Sequence, residues 1–275
     1  MITRKSIIDE AKSIVYKAGQ RGIKLRLLGG VGVEVVCGKT FFDREIGDID
    51  FIGWRKQASA IKRLLYELDY CSRERFNRVH GASRLIFDHP ILRLRLDVFL
   101  DEFDMCHKFN FRDRIGLGEF TLPVSDLLAT KLQIVEMNEK DVFDIMKLLV
   151  CKEVVEQDEP DKISLERLAQ LCCSDWGVYQ TFLLSIDKTL KKTSALCTDF
   201  SQQARVRDCL KRIVDRLKNE PKSVRWRLRA LIGTRKQWYQ LPESEFDMNP
   251  PNVTTASSQG NGSLNYGKAD ERDEI

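Results

Sequence analysis

The chain has 275 residues, enough to bury a sizeable core in one or two domains. Apolar residues make up 43% and charged residues 31%, the balance of an ordinary globular protein, and a net charge of +4 says little about partners. No apolar run approaches the roughly 18 residues of a membrane span, and the opening MITRKSIIDEAKSI lacks a signal-peptide core, so the expected setting is cytoplasmic with no membrane partner.

Residues 6–18 carry an apolar stripe at helical spacing (Ile7, Ala11, Ile14, Val15, Ala18), with Ser6 and Asp9 as the expected capping signal. Lys24 to Leu28 reads as a strand, Gly29-Gly30 as a break, and Val31 to Val36 as the start of a helix. A loop with Gly38, Asp43 and Gly47 leads to a second strand over Asp48 to Ile52. Gln57 to Leu68 predicts a helix with Ile61, Leu64, Leu65 and Leu68 on one side, and residues 75–87 predict one or two strands. Leu92 to Leu100 is the cleanest alternation: leucines and Val98 share one face, while Arg93, Arg95, Asp97 and Phe99 share the other. Ser125 opens a helix to about Met137, and Asn138 caps the next, which includes Val142, Ile145, Met146, Leu148 and Leu149.

From about residue 151 the pattern is helical, over 164–173, 175–192, 200–219 and 222–240, with Pro221 parting the last two and no further strand signal. Residues 243–275 are rich in Asn, Ser, Gly and Pro and predict a disordered tail. The expected organisation is an α/β (α+β) region over 1–150, a small mixed sheet flanked by helices, then an all-helical domain over 151–242, then the tail. Eight cysteines contain no Cys-x-x-Cys pair, and a reducing compartment predicts free thiols.

Four pieces line up into one chemistry. Asp48 and Asp50 stand at i and i+2 of a strand, so both carboxylates aim at one side. Like charges so close repel, and a hard divalent cation such as Mg2+ is the usual remedy. Asp97 adds a third carboxylate on a second strand, turned away from its leucines. Gly29-Gly30 at a strand-to-helix turn lets backbone N–H groups approach a phosphate, and Lys131 supplies a cation for a triphosphate. Three aspartates suit one or two Mg2+ ions, and the set describes nucleotidyl transfer from an NTP.

The runs LLGGVGVEVVCGKTFFDREIGDIDFIG, LRLDVFLD and DLLATKLQIVEMNEKDVFDI resemble the nucleotidyltransferase superfamily with the polymerase-beta-like core, in appearance nearest its AbiEii-type toxins. The resemblance covers about residues 24–150. It implies that Gly29 and Gly30 shape the phosphate turn and that Asp48, Asp50 and Asp97 are the catalytic and metal-binding carboxylates. Lys140-Asp141-Val142-Phe143-Asp144 matches the subgroup's (K/R)-D-x-x-D segment, so Lys131 would contact the triphosphate while Asp141 and Asp144 line or buttress the site. Gly29-Gly30 stands where many members carry Gly-Ser. The implied activity is Mg2+-dependent transfer of NMP to an acceptor (tRNA, another protein or a small molecule), with Asp97 as general base or as the metal ligand nearest the nucleophile. The alternative is a non-catalytic module of the same fold that binds RNA or a partner protein, as in a toxin–antitoxin pair.

Each feature has an ordinary structural reading as well. Gly-Gly pairs are commonly turns, strand aspartates are commonly exposed, and Asp141 near a helix start favours the helix dipole. Arg95 shares a face with Asp97 and is its expected ion partner, and Arg44 reads as a loop surface residue. Residues 205–236 carry twelve Lys and Arg against Asp208, Asp215 and Glu220, with Trp226 inside and Trp238 and Tyr239 just beyond. That is both the footprint of a nucleic-acid groove and the composition of a solvated helix face.

Overall fold

The computed structural model describes residues 3–38 and 46–241. Asp43, Arg44 and the tail expected over 243–275 lie outside the described residues.

The chain opens with α1 (Arg4–Gln20), whose cap is Thr3, accepting from the Ser6 N–H at 3.2 Å, rather than the expected Ser6. A strand β1 (Leu25–Leu28) passes directly into α2 (Gly29–Cys37), so the two glycines form the first helical turn instead of preceding it. Then come β2 (Asp48–Gly53), α3 (Ala58–Glu67), β3 (Cys71–Ser72), α4 (Glu74–His80), β4 (Arg84–His89) and β5 (Leu94–Leu100). The segment expected to hold one or two strands thus divides into a short helix and a strand. Its first half, ERFNRVH, has no alternation, whereas Leu85 and Phe87 do alternate with Arg84, Ile86 and Asp88.

Five strands make one sheet in the order β1-β2-β5-β4-β3. β2 and β5 are parallel, and the other neighbours are antiparallel, which is the small mixed sheet expected. A hairpin of β6 (Glu102–Asp104) and β7 (Lys108–Asn110) follows. Residues 120–122 run along the outer side of β1, where Leu27 N donates to Phe120 O and Leu122 N to Leu27 O. This pairing blunts the sheet edge and delivers the chain to α5 (Val124–Leu132), which ends five residues before the expected boundary.

Next, α6 (Glu139–Cys151) starts with a capping box between Asn138 and Asp141. Against the expectation of helix alone, two short strands, β8 (Val154–Val155) and β9 (Ile163–Ser164), pair in parallel. Two-residue strands carry no periodic signal, so a sequence reading passes over them. The last helices are α7 (Leu165–Ser174), α8 (Trp176–Leu196), α9 (Phe200–Asn219) and α10 (Val224–Ile232).

Strand parity divides the core. Leu25, Leu27, Ile49, Phe51, Leu85, Phe87, Leu96 and Val98 point to one face and pack under Ile7, Ala11 and Ile14 of α1 and Ile61, Leu64 and Leu65 of α3. Leu28, Ile52 and Phe99 point to the other, where they join one apolar cluster that runs through α5 and α6 into α7, α8 and α9. The C-terminal helices therefore complete the core beneath the second sheet face. Among the described residues, no helix is long and apolar enough to cross a membrane.

Candidate functional site

The second face also carries the polar residues of the same strands. β1 and β2 run antiparallel with Leu28 opposite Asp50, so the chain leaving β1 at Gly29 turns into α2 directly beside the Asp50 side chain. Gly29 has φ 62°, and a Cβ there would lie 2.8 Å from Asp50 Cγ and overlap its carboxylate oxygen. Backbone conformation and close approach each require glycine at this position.

Across the parallel pair, Asp50 is opposite Asp97. Neighbouring strands lie about 4.8 Å apart, so the two side chains are same-face neighbours. Asp48 is exposed, Asp50 is half-buried and Asp97 is only 6% exposed. Burial pushes the Asp50 carboxyl up to about 8, with Asp48 and then Asp97 adding repulsion, against the pull of Lys131 and Arg84. Asp50 is thus a strained carboxyl at the centre of the face.

Asp97 is gripped by Arg84 of β4, whose Nε donates to Oδ1 at 2.9 Å and to Oδ2 at 3.0 Å, with Nη2 also on Oδ2. This fork is not the one expected, since Arg95 instead lies 3.5 Å from Asp88. Arg84 is two strand positions away from the residue opposite Asp97, Ile86, and only strand register brings it near. No sequence motif marks it. Phe76 and Phe99 lie against its guanidinium, at 5.6 and 5.0 Å from their ring centres.

Lys131 near the end of α5 points its ammonium at two acids of α6, 2.9 Å from Asp144 Oδ2 and 3.3 Å from Asp141 Oδ1. Asp141 also closes the α6 cap, so one carboxylate both starts the helix and holds the lysine. Deeper down, buried Lys147 of α6 meets buried Glu34 of α2 at 2.6 Å, and Arg4 of α1 also reaches Glu34. These charges pin α2 to α6, the two helices whose first turns frame the site.

The result is an open cleft of about 570 Å³. Asp48, Asp50, Gly30, Lys131 and Asp141 line it, together with Arg93, Arg95, Lys140 and Asn138, which the sequence reading did not single out as cleft residues. Gly29, Asp97 and Asp144 are not in its wall; they support the residues that are. Four cations, with Asp88 and Asp141 among them, therefore surround the Asp48–Asp50 floor. Among the described residues, no three His, Cys, Asp or Glu side chains are gathered so as to hold a metal ion.

No family model and no curated protein matches the chain. Among solved structures it is similar to the lincomycin-bound crystal structure of the lincosamide antibiotic adenylyltransferase LnuA, at 20% identity over 54% of this chain and 96% of that one, with TM-score 0.40. It is similar to the solution structure of the antibiotic-resistance factor ANT(2'')-Ia, at 11% identity over 53% of this chain and 84% of that one, with TM-score 0.39. An antigenic nucleotidyltransferase-like protein from Paracoccidioides brasiliensis aligns over 81% of this chain and 96% of its own, at 13% identity and TM-score 0.43. TM-scores below 0.5 leave the residues of the cleft as the basis for function.

Proposed function

We propose that the chain is a nucleotidyltransferase that moves NMP from an NTP to the hydroxyl of an acceptor. One observation carries this reading: Asp48 and Asp50 floor a cleft of about 570 Å³ whose wall holds Arg93, Arg95, Lys131 and Lys140. Carboxylates alone would repel a triphosphate, and cations alone would need no paired aspartates. A polyphosphate carrying a divalent metal satisfies both sets.

The donors fit Mg2+ at Asp48 and Asp50, which present hard oxygens from one strand face into the cleft. Burial first, and then repulsion from Asp48 and Asp97, raise Asp50, and a bound cation relieves that repulsion. Bound there, the ion would supply charge neutralisation on the phosphate oxygens. Arg93, Arg95 and Lys140 bind the outer phosphates. Gly30 leaves the start of α2 open to the cleft, where unpaired N–H groups suit an anion. Lys131, set by Asp141 and Asp144, meets the charge that develops on the leaving pyrophosphate. The acceptor oxygen attacks the α-phosphorus, the bond to pyrophosphate breaks, and the acceptor proton leaves to water in the open cleft, while Asp97, held by Arg84 behind the wall, supports Asp50 from the neighbouring strand. Residues 1–150 form the catalytic part in this reading, and the helices after 151 select the acceptor.

The test is NTP-dependent labelling of acceptors in lysate and of purified tRNA, with Asp48→Ala/Asp50→Ala as control. Labelling by the wild type that the double variant loses supports the reading. Equal labelling by both rejects it.

A second reading is the non-catalytic module that binds RNA or a protein, as in a toxin–antitoxin pair. It is favoured by the Arg84 fork, which occupies the Asp97 carboxylate. Calorimetric titration with Mg2+-ATP separates the two, because the module shows no metal-dependent nucleotide binding.

A further inference from the structure

A second cavity, of about 410 Å³, opens among the β6–β7 hairpin, the start of α8, α10 and residues 237–240. That volume lies within the range of small-ligand sites, about 300–1,000 Å³. Three of the chain's four tryptophans line it (Trp176, Trp226 and Trp238), with Tyr239, Arg225 and Arg229. Trp226, Trp238 and Tyr239 are half-buried, so part of each ring stays open.

The aromatic walls are set in advance. Trp176 and Trp238 meet edge-on at 6.0 Å, and Trp238 and Tyr239 at 5.4 Å. Trp238 donates its indole N–H to Thr181 at 3.0 Å. The Arg229 guanidinium lies 4.7 Å from the Trp176 ring centre and donates to the carbonyls of Gly233 and Lys236, both at 2.8 Å. Its capacity is spent on holding the wall. Arg225 differs: it is exposed, and among the described residues its side chain makes no hydrogen bond or ion pair. The buried indole N–H of Trp226 has no acceptor among the described residues.

Flat rings held in place beside a free guanidinium match a flat ring joined to an anion. An apolar ligand would leave Arg225 unused, and a bare anion would not use the tryptophans. We infer that this cavity binds an unpaired nucleobase together with its phosphate, from a single-stranded nucleic acid or from a free nucleotide. Gln240 belongs to its wall and to that of a neighbouring pocket of about 200 Å³, which contains Phe99 and the same Arg84 that grips Asp97. Neither pocket shares a wall residue with the carboxylate cleft, so binding in the aromatic cavity does not rest on the transfer reading above.

The experiment follows tryptophan fluorescence of the full chain titrated with oligouridylate of about 12 nucleotides, with UMP and with inorganic polyphosphate. Saturable quenching by oligouridylate or UMP is expected. Oligouridylate binding more tightly than UMP identifies a strand, and equal affinity identifies a free nucleotide. Trp238→Ala should weaken binding at least about fivefold. Arg225→Ala should weaken it and lower the salt dependence by about one unit of log–log slope. Should Trp238→Ala fail to fold by circular dichroism, Arg225→Glu on the exposed α10 surface decides instead. No quenching, polyphosphate binding as tightly as oligouridylate, or unchanged affinity in the folded variants overturns the site. Asp48→Asn/Asp50→Asn should keep the binding, and that result distinguishes failure of this site from failure of the transfer reading.

Discussion

The two faces of the central sheet are made by the same strands and obey different rules. On one, Leu85, Phe87, Leu96 and Val98 pack under α1 and α3 as a sealed apolar layer. On the other, Arg84, Asp97, Asp50 and Asp48 alternate with those residues and surround a turn that only glycine can make. Apolar contact stabilises the first face in proportion to the area removed from water. The second face holds a half-buried carboxyl pushed up to about 8, which opposes folding at neutral pH. Stability and the candidate chemistry are thereby segregated by a two-residue period, and each side can be perturbed with the other left in place.

The largest expected effect is on the polar face. Asp48→Ala/Asp50→Ala should reduce nucleotidyl transfer by on the order of a thousandfold while circular dichroism stays at wild type and the denaturation midpoint does not fall. On the apolar face, Leu96→Ala removes a fully buried side chain and should cost about 2–5 kcal/mol in urea denaturation, with activity per folded molecule retained. If Leu96→Ala instead abolished activity in folded protein, the two faces would not be independent.

Gly29→Ala tests where the faces meet. Positive φ and the overlap with Asp50 should together cost about 1–3 kcal/mol, and displacement of the Asp50 carboxylate should lower activity as well. The last expected effect is a gain. The Asp50 carboxyl titrates near 8 in the folded chain against an ordinary 3.8, so the unfolded chain loses its proton first as pH rises. Its contribution therefore lowers stability progressively from about pH 4 to pH 8. In chelator-treated protein, Asp50→Asn should melt higher than wild type at pH 8, and the difference should shrink toward pH 4. A constant difference across that range would mean that Asp50 ionisation is not the cause.

Much of this plan is legible in the sequence because it follows from local period. The alternation of Leu94, Leu96, Val98 and Leu100 against Asp97 gives the strand and its polar side. Asn138 and Asp141 give the start of α6 by local hydrogen bonding. Arg84 is invisible by the same logic, since its relation to Asp97 depends on which strand pairs with which, and β4 lies in a segment of weak periodicity. The gathering of Trp176 with Trp226, Trp238 and Tyr239 is likewise beyond reach, because α8 and α10 are far apart in the chain.

By itself, then, the sequence determines most of the longer elements, the strand faces and the candidate carboxylates, all of which are consequences of spacing within one segment. Tertiary structure alone decides that Gly29 is pressed against Asp50, that Arg84 rather than Arg95 forks Asp97, and that Asp141 and Asp144 converge on Lys131. Those are encounters between different elements, ten or more residues apart in the chain. They are set by register and helix packing, which no local pattern encodes.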